Sequence, residues 1–208
     1  MEGVNMTKKD IAENNIKQIE GLVLLKDLDN SFIIELKYAT KDNFLKKVMY
    51  PVPVCAIRRE TGEKLVKANK IFKERGYTIK VWDAYRPMHV QREFYEACPD
   101  SPYVAKPPES PITSGFRPRH NNGMAVDITL VDGNGKELEM PSDFDDFTEN
   151  AKVASNNMTE EARKNVNYLH EVMSSVGFRT YENEWWHFVD GVEEPTPYLD
   201  IPLEIFTL

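Results

Sequence analysis

The sequence predicts an α+β protein with a mainly antiparallel central sheet flanked by helices. Three observations predict it. Only two stretches are long and periodic enough for substantial helices. Several short segments rich in β-formers lie between them. The strands and helices do not alternate in a βαβ rhythm, so a parallel sheet is not expected.

Taken in order, residues 7–20 are polar apart from Ile11, Ile16 and Ile19, which reads as a weak surface helix. Ser31 to Tyr38 reads as a strand whose apolar part is Ile33, Ile34 and Leu36. Residues 58–75 read as a helix, because Thr61, Leu65, Ala68 and Phe72 recur at spacings of four and three. Gly76 stands where a helix C-terminal cap belongs. Tyr77 to Trp82 alternates and is rich in β-formers, a strand. Pro87 can open a short helix through about Ala97, since proline is tolerated in a first turn. Residues 99–119 hold six prolines and are expected to be mostly loop. Met124 to Val131 is apolar on both faces, which places it centrally in the sheet. Asp132-Gly133-Asn134-Gly135 is a turn and suggests a hairpin. A second long helix is expected from about Thr159 to Ser175, with Ala162, Val166, Leu169 and Met173 on one face, and Gly177 ends it. Trp185 to Val189 reads as the last strand, and the tail from Glu193 as extended.

The 208 residues suit a single domain, with 1–27 as a peripheral N-terminal segment. A chain of this length buries about 70% of its unfolded surface, enough for a rigid internal site. Lys and Arg total 26 against 34 Asp and Glu, a formal net charge of -8. That balance argues against nucleic acid and anionic membrane surfaces as partners. No apolar run approaches the ~20 residues of a membrane span, and no secretory signal opens the chain. A cytoplasmic location is the expectation. Cys55 and Cys98 form no C-x-x-C pair, and a core of this size needs no disulfide between them. Nothing in the sequence sets the oligomeric state.

Four histidines are available. His170 lies off the apolar stripe of the second long helix and reads as a solvated position. His89 follows Pro87 and reads as a surface residue. His120 and His187 stand in richer contexts. His120-Asn121-Asn122-Gly123-Met124-Ala125-Val126-Asp127 puts an imidazole at a loop end and a carboxylate inside a strand. Val126 and Ile128 flank Asp127, so the carboxylate points to the opposite layer. There it is costly unless paired or metal-bound. Gly123 and Ala125 are small and allow close approach. Glu184-Trp185-Trp186-His187 puts a carboxylate three residues before the other imidazole, with two tryptophans to supply a dry wall. On a regular strand those two groups face opposite ways, so both reach one site only if Glu184 precedes the strand or sits on a bend. Two imidazoles and one carboxylate form a catalytic zinc set with an open position, and a free glutamate beside them is the usual base. The plain alternative is a core histidine with a capping carboxylate. In Trp82-Asp83-Ala84-Tyr85-Arg86-Pro87, Arg86 is either a salt-bridge partner of Asp83 or a fixed cation near developing negative charge.

These motifs together resemble the D-alanyl-D-alanine dipeptidases of the VanX type, within the zinc D,D-peptidases of hedgehog-like fold. Tyr38-Ala39-Thr40-Lys41-Asp42-Asn43-Phe44, Phe144-Asp145 and Gly177-Phe178 extend the likeness over about residues 28–203. The resemblance implies one zinc ion per chain held by His120, Asp127 and His187. It implies Glu184 as general base and Arg86 as oxyanion stabiliser. It implies substrate-binding roles for Asp145, Tyr38 and Asp83, with Asp145 facing the substrate ammonium and Asp83 orienting Arg86. The implied activity is hydrolysis of the small dipeptide D-Ala-D-Ala to two D-alanines.

One position departs from the family pattern. Where the family commonly has serine two residues before the zinc histidine, this chain has Pro118, which removes a hydroxyl and a backbone N–H. Arg117 or Arg119 can compensate by gripping a carboxylate in two-pronged fashion; surface charge is their plain reading. The competing functions are a D,D-carboxypeptidase acting on longer muropeptides and a catalytically silent zinc or ligand-binding module.

Overall fold

A computed structural model describes residues 16–101, 103–108, 119–192 and 196–208. Residues 7–15 of the expected N-terminal helix, Arg117, Pro118 and the start of the tail at Glu193 lie outside those residues.

Two sheets form. The smaller pairs β1 (Leu22–Leu24) antiparallel with β3 (Ala56–Arg58). The larger has the order β2-β4-β5-β7-β6, built from β2 (Ile33–Ile34), β4 (Thr78–Asp83), β5 (Ala125–Val131), β6 (Phe178–Tyr181) and β7 (Glu184–Asp190). Only the β2–β4 pairing is parallel; the other three are antiparallel. Among the described residues four helices accompany the sheets: α1 (Leu25–Leu28), α2 (Arg59–Lys73), α3 (Met88–Ala97) and α4 (Glu160–Ser175). The α+β class and the mainly antiparallel sheet are as expected.

β5 is central, and all seven of its residues are buried. Val126, Ile128 and Leu130 join the core with Leu65 and Phe72 of α2 and Leu169 and Met173 of α4. Strand alternation sends Asp127 and Thr129 to the other face. The two long helices thus cover one face of the sheet, and the opposite face is left for a site. Thr159 caps α4 by accepting from the Ala162 N–H, and Glu160 and Glu161 follow in the first turn. Gly76 and Gly177 have φ of 78° and 96°, the left-handed conformation that ends α2 and redirects the chain after α4.

Several expectations need correction. Leu22, Val23 and Leu25 are fully buried, so the end of the presumed peripheral segment is core. At 16–20 the chain makes an Ile19–Leu22 bridge instead of helix. The strand expected over 31–38 shrinks to two residues. A 3₁₀ turn at Lys37–Ala39 replaces its end and turns Tyr38 inward, against Phe44, Tyr50 and Phe94. The Asp132–Gly135 turn forms, but its return is one bridge, Val131 to Glu137. Strands β1, β3 and β6 were not foreseen. Each is three or four residues long, too short for a period to show. Cys55 and Cys98 are free. No described helix is long and apolar enough to cross a membrane.

Candidate metal centre

Three chain segments meet on the open face of the sheet. Asp127 and His187 stand directly opposite each other across the β5–β7 ladder. His120 arrives from a 3₁₀ turn, Arg119–Asn122, that runs into β5. That turn closes through Gly123, whose φ is 74°. A Cβ there would meet the Leu22 side chain at 2.5 Å and the Arg58 backbone nitrogen at 2.9 Å, so glycine is required. The Asn121 amide donates to the Arg86 carbonyl at 2.8 Å, and the Arg86 N–H donates to the His120 carbonyl at 3.1 Å. The loop bearing His120 and the end of the loop after β4 are therefore one unit.

His187 Nδ1 lies 2.8 Å from Asp127 Oδ1 and 3.2 Å from His120 Nε2, and His120 Nε2 lies 3.4 Å from Asp127 Oδ2. The donor set suits a divalent ion. Tetrahedral zinc with bonds of ~2.0–2.1 Å separates its ligand atoms by about 3.3 Å, and the two imidazole nitrogens and the Asp127 carboxylate oxygens stand at 2.8–3.4 Å from one another across the three residues. His120 Nδ1 donates to the Ala84 carbonyl at 2.6 Å, which fixes the tautomer and leaves the Nε2 lone pair for an ion. Burial would push the Asp127 carboxyl up, but the two imidazoles overcome it and hold the group well below the usual range. Burial also opposes the charge on His120, yet Asp127 and Asp83 raise its proton affinity. Among the described residues this is the one group of three potential ligands so gathered.

Glu184 stands at the start of β7, with Oε2 4.0 Å from His187 Nδ1. The bend that sequence alone required is present. Thr180 of β6 pairs with Phe188, and the next residue, Tyr181, pairs with Glu184. Trp185, Trp186 and His187 bulge between those pairings, which changes the parity of the strand. Burial raises the Glu184 proton affinity above that of an ordinary glutamate. Trp186 lines the cavity, while Trp185 is fully buried and donates from its indole to Ser142 Oγ at 3.0 Å.

Arg86 reaches the same cavity. Its Nε and Nη2 donate to Asp83 Oδ2 at 3.2 and 2.7 Å, and its Nη1 donates to Gln91 Oε1 at 2.9 Å. Its guanidinium lies over the rings of Phe94 and Tyr38, at 4.6 and 5.2 Å. The salt bridge to Asp83 forms, and the same guanidinium also lines the cavity. Burial disfavours the charge, but Asp83 outweighs it and keeps the guanidinium protonated. Asp83 itself is fully buried and off the cavity wall, which corrects its grouping with the substrate contacts. It accepts from the Tyr50 hydroxyl at 2.6 Å and from Arg86, so it fixes the cation from behind.

The cavity holds about 730 Å³, with Tyr38, Arg119, Asp145 and Tyr181 on its walls. The Tyr38 hydroxyl donates to the Asp145 carboxylate at 3.1 and 3.2 Å. Burial, then the charge on Asp127, push the Asp145 carboxyl up to about 8. Of the two arginines considered for a substrate carboxylate, Arg119 faces the cavity and Arg117 lies outside the described residues.

Of the other histidines, His89 sits partly exposed against Asp200, Nδ1 to Oδ1 2.6 Å, in keeping with a surface residue. His170 does not fit its solvated reading. It is half-buried, and its Nε2 lies 2.8 Å from the Trp185 carbonyl. Tyr50 and Gln91 hold the Asp83–Arg86 pair, His170 holds the Trp185 carbonyl, and none of the three was singled out for such a contact. Their partners lie up to 33 residues away in sequence, and no local pattern marks them.

The model of the peptidase M15 family, described as D-Ala-D-Ala dipeptidase, matches residues 18–203. The chain belongs to this peptidase family. It is 34% identical over 166 residues to the D-alanyl-D-alanine dipeptidase of Escherichia coli K12, covering 80% of each chain. It is 30% identical over 199 residues to the enzyme of that name from Enterococcus faecium, covering 88% of this chain and 98% of the relative. Among solved structures, a vancomycin-resistance D,D-pentapeptidase, VanY, in complex with Zn(II), overlaps 66% of this chain and 74% of its own. That overlap has 18% identity and a TM-score of 0.39.

Proposed function

We propose that this peptidase is a zinc-dependent D-Ala-D-Ala dipeptidase. The observation that carries the reading is the convergence of His120, Asp127 and His187 with Glu184 beside them. His120 Nε2, His187 Nδ1 and an Asp127 oxygen would hold the ion. When bound, zinc supplies Lewis-acid activation of water and of the scissile carbonyl. Glu184 accepts the proton of the attacking water and returns it to the leaving amine, the two halves of general acid–base catalysis. Its raised proton affinity suits a group that must both take and give. Arg86, locked by Asp83 and Gln91, offers its remaining N–H groups to the oxygen on which negative charge develops. Asp145, with Tyr38 donating to it, faces the substrate ammonium. Arg119 is the cavity cation available for the substrate carboxylate.

The volume of the cavity favours one second reading. A space of about 730 Å³ exceeds what a dipeptide needs, so longer D,D-peptides are the competing substrates. The test is metal analysis of the purified protein together with D-alanine release from D-Ala-D-Ala and from a pentapeptide ending in that pair. We expect one zinc per chain and dipeptide hydrolysis in preference. Preferred cleavage of the pentapeptide would move the assignment to a D,D-carboxypeptidase. Bound zinc with neither substrate cleaved would make the chain a silent module.

A further inference from the structure

We propose that His170 is a positioning residue: it holds the β7 bulge that brings Glu184 to the same side of the strand as His187. The catalytic consequence rests on the roles given to those two residues above.

In a regular strand, residues three apart point to opposite faces. Glu184 and His187 share a site only because Trp185, Trp186 and His187 bulge out of the β6–β7 ladder. The β5–β7 ladder ends at the Asp127–His187 pair. Neither neighbouring strand is therefore in register with Trp185, whose side chain is fully buried. A buried carbonyl without a partner is unfavourable, and a bulge that creates one tends to relax. His170 supplies the partner. It reaches across from α4, and its Nε2–H donates to the Trp185 carbonyl at 2.8 Å. Its ring also packs edge-on against Phe188, at 4.9 Å between centroids, on the far side of the bulge. One side chain thus pins the bulge at its first residue and just beyond its last. His170 is not among the residues that line the cavity, so it acts only through strand geometry.

The test compares His170→Leu, which cannot donate, with His170→Gln, which can. Three quantities are read in each: kcat and KM on D-Ala-D-Ala, thermal stability, and the Glu184–His187 separation in a crystal structure of the metal-free protein. We expect His170→Leu to widen that separation and to lower kcat by about 10- to 100-fold, the cost of a misplacement near 1 Å, with KM little changed. We expect His170→Gln to restore both. An unchanged separation in His170→Leu would overturn the proposal. So would equal loss of kcat in both variants in step with their melting temperatures. Should His170→Leu fail to fold, the pair His170→Gln and His170→Met, one donor and one not, is read the same way. If the wild type cleaves no D,D-peptide, the functional reading fails alone, because the separation in the metal-free protein still decides the role of His170.

Discussion

Asp127 and His187 face each other across two antiparallel strands, and their side-chain donors meet at 2.8 Å. Neighbouring strands thus deliver two of the proposed ligands by register alone. His120 adds the third from a turn that Gly123 closes. The resulting knot of donors has little to gain from being left without a cation.

Metal removal should therefore act on activity and stability together. A ligand present at a thousandfold over its Kd, and bound only by the native state, stabilises by about 4 kcal/mol. For a chain of this size that corresponds to roughly 10 °C in melting temperature. Chelation should abolish dipeptide hydrolysis and lower the melting temperature by that order, and added zinc should reverse both. Calorimetry on chelated and reloaded protein checks it.

Glu184 lies beside the ligands without being one of the three. Replacing Glu184 by Gln should lower kcat by about 10²–10⁴, the usual worth of a positioned acid–base group. Zinc content should remain one per chain. Loss of the metal along with activity would instead make Glu184 a ligand.

The Asp83–Arg86 pair joins the proposed oxyanion stabiliser to its support. Arg86→Ala should cost about 10²–10³ in kcat, as loss of one oxyanion donor does. A rise in KM alone would make Arg86 a substrate anchor. Asp83→Asn should also lower kcat, but with a stability loss of about 3–5 kcal/mol, because the buried guanidinium is left uncompensated. Denaturant titration beside steady-state kinetics distinguishes the two.

Asp145 has a pH signature in the metal-free protein. Its carboxyl titrates near 8 when folded and near 3.8 otherwise. Between those values the native state holds a proton that the unfolded chain has lost. Stability from this group therefore falls as pH rises through that window. Asp145→Asn should flatten that slope. It should also raise KM for the dipeptide by about 10- to 100-fold, the worth of a hydrogen bond to a charged group. Melting curves from pH 4 to 8, and KM at neutral pH, test both parts.

Much of the fold was legible because it is encoded within single elements. The 3.6-residue period marked α2 and α4, and two-sided apolarity marked β5 as central. The flanking of Asp127 by Val126 and Ile128 told its direction. The strands of three or four residues carried no such signal. The Asp83–Arg86 pair was legible from its spacing of three, but the Tyr50 hydroxyl that holds Asp83 from another part of the chain was not.

By itself, the sequence determined the donor chemistry and the elements that carry it: two imidazoles, a strand-borne carboxylate, a nearby glutamate and a cation after β4. Tertiary structure alone decided that Glu184 and His187 share a face, that His170 braces the bend between them, and that Leu22 to Leu25 belong to the core. The physical reason is that side-chain direction along one strand follows from its own period. A bulge and its brace, by contrast, arise from the register between strands and helices distant in the chain, and no local pattern of residues records that register.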